Sequence, residues 1–280
     1  MNDKDLKKFI KESIIEDLGD GDHTSLATIS KSSKNKSQLL IKDNGIIAGI
    51  DLAKLILNQV NQDLRIDQLL NDGDQVRKGD IAFTVEGCSI SILSAERLVL
   101  NCMQRMSAIS TKTYYLNKLL KDTDTKLLDT RKTTPFNRKI EKWAVKIGGG
   151  TNHRFGLYDV IMIKDNHTDV AGGIQQAIIK TKAYLKRKKK KLDIIVEARN
   201  IKEVKEIINE GGIKRILLDN FNITETKQAI KIINNKYETE SSGGITEKNI
   251  LRYAECGVNY ISLGCLTHSI KNFDLSLKKI

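Results

Sequence analysis

The feature that most constrains the fold is a strand-then-helix rhythm that repeats six times in the second half of the chain. Short apolar segments alternate with helical patterns such as IKEVKEIINEGG, ITETKQAIKIINN and TEKNILRYAECG. The predicted strands lie near residues 126–130, 160–164, 192–198, 214–219, 236–241 and 258–263. Strands that alternate with helices of roughly 10 to 15 residues indicate a parallel sheet, which is either a barrel or a doubly wound sheet.

Nearly every one of these predicted strands ends in ionisable or small polar residues. The set comprises Asp129, Arg131, Lys132, Lys164, Asp165, Glu197, Arg199, Asp219, Asn220, Glu240, Ser241, Ser242, Ser262 and Gly264. In a barrel the carboxyl ends of all strands meet on one face, whereas a doubly wound sheet gathers ligands only at a switch point. The even spread of polar residues therefore favours the barrel.

The first part of the chain is organised differently. An amphipathic helix is expected over residues 4–18, and Asp51 is expected to cap a helix that ends at Val60. Short strands separated by Gly-containing turns are predicted at 37–41, 45–50, 81–85 and 89–92. A long helix is predicted from Ser94 to about Leu119. Residues 1 to about 93 therefore indicate an α+β unit with an antiparallel sheet.

Cationic residues concentrate between Leu127 and His167, where the chain reads LLDTRKTTPFNRKIEKWAVKIGGGTNHRFGLYDVIMIKDNH. They surround a run of three glycines and the chain's one proline, and they are Arg131, Lys132, Arg138, His153, Arg154 and Lys164. Fork-shaped Arg and point-charge Lys are the usual partners of carboxylates and phosphates. The stretch therefore predicts a pocket for a small molecule with several negative charges; a basic surface loop is the alternative.

The remaining strand ends predict a phosphate site and a pair of acids. The connections at residues 241–244 and 264–269 lie where barrels bind phosphate through loop amides and a short helix N-terminus. Glu197 and Asp219 are suited to Mg²⁺, because that ion needs only one or two protein carboxylates beside substrate phosphates. Either acid alone could instead cap a neighbouring helix. Together the residues indicate departure of pyrophosphate, driven by charge neutralisation rather than by covalent catalysis.

Composition limits the other possibilities. A net charge of +12 permits nucleic-acid binding, but no basic stripe is interleaved with aromatic residues, and the KRKKKK run at 186–191 is typical of a solvated helix end. No apolar run approaches the ~18 residues that span a bilayer. The charged N-terminus lacks the pattern of a signal peptide, so we expect a cytoplasmic protein. Four scattered cysteines indicate reduced thiols rather than disulfides or a zinc site.

Nine motifs, taken together, carry a resemblance to a known family. They are EDLGDGDHTS, LNCMQRMSAIS, DTRKTTP, GGGTNHRFGLYD, IKDNH, VEARN, LLDN, ESSGGI and SLGCLTHS. From Glu16 to the tail the chain closely resembles the quinolinate phosphoribosyltransferases, the carboxylating nicotinate-nucleotide pyrophosphorylases of NAD biosynthesis. The resemblance implies transfer of phosphoribose from PRPP to quinolinate with loss of CO2, giving nicotinate mononucleotide and pyrophosphate with Mg²⁺. Quinolinate and PRPP are then the partners, with no role for nucleic acid or membrane.

The resemblance also implies an architecture and a set of site residues. The expected fold is an N-terminal α+β sandwich over residues 1–110 and an incomplete α/β barrel over 111–269, with the tail at 270–280 packed back on the first domain. A homodimer or higher oligomer is expected to complete the active site. The residues implied to bind the quinolinate carboxylates and PRPP are Arg131, Lys132, His153, Arg154 and Lys164, with Arg105 supplied by the neighbouring subunit. The residues implied in catalysis are Lys132, Lys164, Glu197 and Asp219, of which Glu197 and Asp219 also hold the ribose and Mg²⁺. The residues implied to bind phosphate are Ser242, Gly243, Gly264 and His268.

Two positions depart from the family pattern, and three other functions stay open. Phe136-Asn137 stands where Gly-Leu is usual, and Ile195 stands where a further glutamate is frequent. Residue chemistry alone leaves Arg105 as a site residue or as a buried salt-bridge residue. The other functions are a phosphoribosyltransferase of this fold with another acceptor, an aldolase that forms a Schiff base on Lys164, and a nucleic-acid binder.

Overall fold

The computed structural model describes residues 3–280, which form two compact units. The first unit takes in the chain up to Tyr114 together with Thr133–Gly149 and Leu266–Ile280, and the second takes in Tyr115–Lys132 and Gly150–Cys265. The helices are α1 (Asp3–Leu18), α2 (His23–Thr28), α3 (Ile50–Val60), α4 (Ser89–Leu119), α5 (Arg138–Ile147), α6 (Asp165–Ala171), α7 (Ile174–Lys188), α8 (Ile201–Glu210), α9 (Ile223–Ile233), α10 (Ile250–Ala254) and α11 (Cys265–His268). The strands are β1 (Lys34–Ile41), β2 (Gly45–Ile46), β3 (Arg65–Gln68), β4 (Gln75–Val76), β5 (Ile81–Cys88), β6 (Lys126–Leu128), β7 (Ile161–Ile163), β8 (Ile194–Ala198), β9 (Arg215–Asp219), β10 (Glu238–Ser242), β11 (Tyr260–Ser262) and β12 (Leu275–Lys279).

The first unit is built on a four-stranded sheet in the order β12-β1-β5-β3, in which every pairing is antiparallel. The C-terminal strand β12 pairs with β1 in a register that places Leu277 opposite Leu39. A small antiparallel pair, β2 and β4, lies beside helix α4, whose Thr111 hydroxyl accepts a hydrogen bond from the Ile46 N–H. The predicted N-terminal antiparallel α+β domain is confirmed.

The second unit contains a six-stranded parallel sheet in the order β6-β11-β10-β9-β8-β7. Strands β7 to β11 are neighbours in chain order, and β6 comes round to pair with β11. A doubly wound sheet reverses its order in the middle, whereas this order is that of a barrel opened between its first two strands. A single parallel bridge from Leu128 to Thr151 lies at the β6 edge. The predicted incomplete α/β barrel is confirmed.

The pleat of the sheet explains why functional side chains occupy alternate positions. Ile194 and Val196 of β8, together with Ile216 and Leu218 of β9, belong to the apolar core packed beneath helices α7, α8 and α9. Successive strand residues point to opposite faces, so the intervening residues face the other side of the sheet. These are Ile195 and Glu197 on β8, Arg215, Leu217 and Asp219 on β9, and Glu238, Glu240 and Ser242 on β10.

Three local expectations about the first part of the chain were wrong. The strand predicted at 45–50 forms only at Gly45–Ile46, because Ile50 already begins α3. Residues 89–92 form the first turn of α4, which begins at Ser89 instead of Ser94. A short apolar run such as SISI fits a strand or a buried helical turn equally well, so periodicity could not distinguish the two. Helix α3 is capped by Gly49 instead of Asp51, and Asp72, from a distant turn, accepts the Ile50 N–H at 2.8 Å. Among residues 3–280, no helix combines the length and apolar character needed to cross a membrane.

Candidate active site

The carboxyl ends of several parallel strands bring cations and acids together in the second unit. Lys164 follows β7, and its Nζ lies 3.3 Å from Oε2 of Glu197 near the end of β8. Asp219 is the last residue of β9, and the charges of Lys164, Lys132 and Asp165 all act on its carboxylate. Residues that follow or end four different strands therefore form one electrostatic cluster.

The carboxyl group of Asp219 has a raised pKa. Burial is the main cause and the negative charge of Asp165 adds to it, while Lys164, a hydrogen bond from Asn220 and the charge of Lys132 act in the opposite direction. Desolvation disfavours the charged form of a carboxyl group. A bound cation or a sugar hydroxyl at this position would therefore relieve an unfavourable environment for the carboxylate.

The position of Lys164 is fixed by the start of helix α6. The Lys164 N–H donates to Nδ1 of His167 at 3.0 Å, and the Asp165 N–H donates to Oε1 of Glu197 at 3.4 Å. A side chain three positions into a helix that accepts the N–H of the capping residue holds the first turn in place. His167 thus acts as a hydrogen-bond acceptor in the loop, and Glu197 contacts both the side chain of Lys164 and the backbone next to it.

A buried aspartate anchors the segment that carries His153 and Arg154. Asp129 directly follows β6 and is fully buried. One of its carboxylate oxygens accepts from Nδ2 of Asn152 and the other from the His153 N–H, each at 2.7 Å. Charge-assisted hydrogen bonds of this kind are short and strong. The DTRK and TNHR motifs are therefore joined directly through one carboxylate.

His153 is in turn held by a second buried acid, Glu240 of β10. Nε2 of His153 lies 3.2 Å from Oε2 of Glu240, and Nδ1 accepts the Arg154 N–H at 2.7 Å. Nη1 of Arg215 donates to the same Glu240 oxygen at 2.9 Å. Burial would raise the pKa of Glu240, but the hydrogen bond and charge of His153 and the charge of Arg215 outweigh burial, and the pKa is lowered. Glu240 therefore remains a carboxylate inside the sheet.

Two arginines interact electrostatically beside this segment. The pKa of Arg154 is lowered, first by burial and then by the positive charge of Arg131; Asp159 opposes both effects. Nη1 of Arg154 donates to the Val160 carbonyl at 3.1 Å, and Asp159 accepts the N–H groups of the turn at Phe155 and Gly156. Neighbouring positive charges attract anions. The charges of Arg131 and Arg154 therefore suit a carboxylate or a phosphate.

The loop after β10 has the backbone of an anion-binding turn. Ser242 ends the strand, and Gly243 and Gly244 both have positive φ, at 85° and 63°. Asn249 closes the loop, since it accepts the Thr246 N–H at 2.6 Å and donates to the Gly244 carbonyl at 3.1 Å. Successive N–H groups in such a turn can surround an anion. Gly264 follows β11, the next strand of the sheet.

Two of the predicted site residues lie in the first unit. Arg105, on α4, donates through Nε and Nη2 to the fully buried Glu141 at 3.1 and 2.9 Å, and also to the Thr267 carbonyl. The other Glu141 oxygen accepts the Thr134 N–H at 3.2 Å, so one acid holds both the arginine and the loop after RK. His268 is exposed, and its Nδ1 lies 2.6 Å from the Ser269 hydroxyl.

The structure therefore gathers Lys132, Lys164, Glu197 and Asp219 in one cluster, and His153 with Arg154 and Arg131 in another. It also reveals supporting residues to which the sequence motifs give no role: Asp129, Glu141, Asn220 and Glu240. One signal was present in the sequence. Asp129 and Glu240 each occur within or directly after an apolar strand, and a charged residue in such a position is rarely buried unless it has a partner.

Comparisons with known proteins agree over nearly the full length. Residues 22–107 match the family described as quinolinate phosphoribosyl transferase, N-terminal domain, and residues 109–278 match its C-terminal domain. The carboxylating nicotinate-nucleotide pyrophosphorylase of Arabidopsis thaliana chloroplasts is 43% identical over 98% of this chain and 82% of its own length. A probable enzyme of the same name from Bacillus subtilis is 39% identical over 99% of this chain and 94% of its own.

Solved structures of the same family have the same fold as this chain. The crystal structure of NadC from Streptococcus pyogenes superposes with a TM-score of 0.93 at 32% identity, covering 100% of this chain and 99% of that one. The nicotinate-nucleotide pyrophosphorylase from Francisella tularensis superposes with a TM-score of 0.92 at 35% identity, covering 100% and 98%. The similarity therefore extends across both units of the chain.

Proposed function

This chain belongs to the quinolinate phosphoribosyltransferase family and carries out that family's decarboxylating reaction in NAD biosynthesis. We propose that the strand ends of its second unit bind quinolinate and PRPP side by side. The two electrostatic clusters bind different substrates. Arg131, Arg154 and His153 belong to the quinolinate end, and Lys164, Lys132, Glu197 and Asp219 to the PRPP end. Burial and then the positive charge of Arg131 lower the pKa of Arg154, and this positively charged pair supports a ligand with anionic groups.

The PRPP end combines acids with a phosphate loop. We assign the ribose hydroxyls to Glu197 and Asp219, and the 5-phosphate to Ser242, Gly243 and Gly264. Ser242 pairs with Asp219 in the parallel register, so the acid and the start of the phosphate loop are adjacent in the sheet. That adjacency supports the assignment, because ribose joins the pyrophosphate and the 5-phosphate within one PRPP molecule.

The acids also fit an Mg²⁺ ion that arrives with the substrate. Mg²⁺ commonly takes one or two protein carboxylates and completes its oxygen ligands from substrate phosphates and water. Among residues 3–280 no group of three or more His, Cys, Asp or Glu side chains is arranged to hold a metal. Asp219, with its raised pKa, and Glu197 are the residues that would hold it. Bound there, Mg²⁺ would supply positive charge to the pyrophosphate oxygens.

The reaction needs orientation and charge more than proton transfer. The ring nitrogen of quinolinate attacks C1 of the ribose, the C1–O bond breaks, and pyrophosphate leaves with the electron pair. The nitrogen carries no proton to lose, so no general base is required. Later the C2–carboxylate bond breaks to give CO2, and a proton takes its place on C2. Lys164 and Lys132 stabilise the departing negative charge, and the fixed arginines align the ring.

We further infer that Arg105 acts in the active site of a partner subunit within a homodimer. The contacts of Arg105 in its own unit use Nε and Nη2, and the side chain keeps 21% of its surface exposed.

We also infer that the protein works in a reducing compartment such as the cytoplasm. All four cysteines are free thiols, which supports a reducing environment.

The observation that carries the site assignment is the cluster of Lys164, Lys132, Glu197 and Asp219 at four strand ends. The test is a reaction of the purified protein with PRPP, Mg²⁺ and quinolinate. We expect stoichiometric CO2 and nicotinate mononucleotide, and none of either when PRPP or quinolinate is omitted. Folded protein that forms no product would overturn the proposal.

A further inference from the structure

We propose that Asn220 is a positioning residue, which locks the carboxylate of Asp219 to the phosphate loop so that the two ends of PRPP are held at a fixed distance. The proposal rests on the function assigned above to Asp219 and Ser242–Gly243, and it adds a residue to which that assignment gives no role. Asn220 directly follows β9, and its side chain bonds to an acid of the site rather than to one of the cations.

Asn220 contacts both structures that it would connect. Its Nδ2 donates to Oδ2 of Asp219 at 2.8 Å, and its N–H donates to the Ser242 carbonyl at 2.8 Å. The first bond restrains rotation of the Asp219 carboxylate and leaves the other oxygen for substrate. The second extends the parallel ladder by one residue beyond the Asp219–Ser242 pair. The acid and the phosphate loop are therefore held by the same residue.

The backbone of Asn220 is in an unusual conformation, with φ at 57°. Asparagine tolerates this left-handed region better than most residues with side chains, because its short amide makes local hydrogen bonds. Glycine would adopt the same backbone but could not contact Asp219. Aspartate would keep the shape but would place a second negative charge where Nδ2 donates now. The position thus needs the amide itself as well as the turn.

Gly243 is shaped to receive that amide. A Cβ built on Gly243 would lie 2.1 Å from Oδ1 and 2.6 Å from Cγ of Asn220, and 3.0 Å from its backbone nitrogen. The first two distances are far inside van der Waals contact, so any side chain at Gly243 must displace the Asn220 amide. The close approach makes Gly243 and Asn220 a complementary pair, and it ties the geometry of the phosphate loop to the orientation of Asp219.

The test is a double-mutant cycle on Asn220→Gly and Gly243→Ala. Because Asn220→Gly keeps the left-handed backbone, we expect it to fold normally, to weaken PRPP binding about tenfold in calorimetry, and to raise KM for PRPP by a similar factor. KM for quinolinate should change less than about twofold, since that end of the site is untouched. Gly243→Ala should lose more than about a hundredfold in kcat/KM for PRPP.

In the double variant the amide that obstructs the new methyl group is gone, so kcat/KM for PRPP should recover at least about tenfold relative to Gly243→Ala alone. Recovery would remain partial, because the backbone nitrogen of Asn220 stays close and alanine is strained at a φ of 85°. Asn235→Gly is the matched control. Asn235 has the same φ of 57° on an exposed turn, and its substitution should leave both KM values unchanged.

The outcomes separate this inference from the proposed function. Wild-type turnover in the same assay reports the function itself. Suppose that the wild type is active but that the losses of kcat/KM from the two substitutions combine independently, or that Asn220→Gly weakens the binding of both substrates equally. Either result would mean that Asn220 does not couple Asp219 to the phosphate loop. Unchanged PRPP affinity in calorimetry for Asn220→Gly would overturn the inference directly.

Discussion

At the scale of single residues, buried acids organise the cations of the second unit. Asp129 accepts the His153 N–H, Glu240 contacts the His153 ring, and Glu197 contacts Lys164. Removing one partner of a buried ion pair leaves the other charge uncompensated, which is costly. The acids therefore keep the cations in place before substrate arrives, and catalysis by pre-oriented charge depends on that arrangement.

Lys164→Ala and Arg131→Ala should each leave the fold intact and reduce kcat/KM by roughly a hundredfold or more, because each removes a positive charge to which we assign contact with substrate. Steady-state kinetics measures the loss, and circular dichroism checks the fold. Lys202→Ala is the matched control, since Lys202 is 86% exposed and pairs only loosely with Glu206 at 3.9 Å. Near-normal rates for both active-site variants would show that the charges are assigned to the wrong residues.

Glu240→Gln should lower the free energy of unfolding at neutral pH by about 3 kcal/mol, because it removes a buried charge shared by His153 and Arg215. Since folding lowers the pKa of Glu240, its stabilisation is complete above the ordinary value of 4.5 and is lost as pH falls through the lower folded value. The difference between wild type and variant should therefore shrink only below pH 4.5.

Chemical denaturation at a series of pH values measures that difference. Glu206→Gln serves as the control, since Glu206 lies in an exposed pair and its change should stay within about 0.5 kcal/mol. A difference between wild type and Glu240→Gln that is equal at pH 7 and well below 4.5 would contradict the prediction.

At the scale of elements, the strand ends were predictable and the connections were not. Each of the six parallel strands lies within two residues of its predicted range, because apolar runs bounded by polar residues specify buried parallel strands. The contact between Arg105 and Glu141 joins residues 36 apart on different helices, and no local pattern reports it. The pairing of Asn220 with Gly243 likewise depends on tertiary packing.

Phe136 illustrates a connection whose shape the sequence concealed. It has a φ of 63° in the loop before α5, and its side chain is 96% exposed. A non-glycine residue in the left-handed region costs about 1–2 kcal/mol, while glycine costs roughly 0.5–1 kcal/mol in lost chain entropy. Phe136→Gly should therefore stabilise the protein by up to about 1 kcal/mol in thermal or chemical denaturation.

The control for this substitution is Leu157→Gly, at a loop residue that is 67% exposed and does not have positive φ. Glycine brings no relief of strain at that position, so the same measurement should record destabilisation. Equal destabilisation by both substitutions would mean that the Phe136 backbone is unstrained.

At the scale of the whole molecule, the two units interleave along the chain, since the segment Thr133–Gly149 belongs to the first unit although its neighbours on both sides belong to the second. Sequence rhythm divides a chain into consecutive parts, so an excursion of this kind is not visible to it. The fold class was nevertheless predictable, because alternation of strands and helices is a property of the whole second half.

If Arg105 acts in a partner's active site, two inactive variants should complement each other. Arg105→Ala mixed with an equal amount of Lys164→Ala, unfolded and refolded together, should regain about one quarter of wild-type activity. The reason is statistical: half of the dimers are mixed, and each mixed dimer has one site free of both changes. Each variant refolded alone is the control. Activity that stays at the level of the separate variants would contradict a role for Arg105 in the partner's active site.

The strand order also carries a consequence for folding. The pairing of β6 with β11 is fastened by the Thr125 hydroxyl and the Val258 carbonyl, which are 133 residues apart, and the first unit is closed by a bond from Asp274 to Asp43 across 231 residues. The parallel sheet cannot gain β11, and the four-stranded sheet cannot gain β12, until nearly the whole chain has been synthesised. Contacts so distant in sequence make folding slow, and they leave early strands with open edges that can aggregate. During synthesis β1 therefore waits with one side unpaired until β12 is made, and β6 has no neighbouring strand until β11 is made.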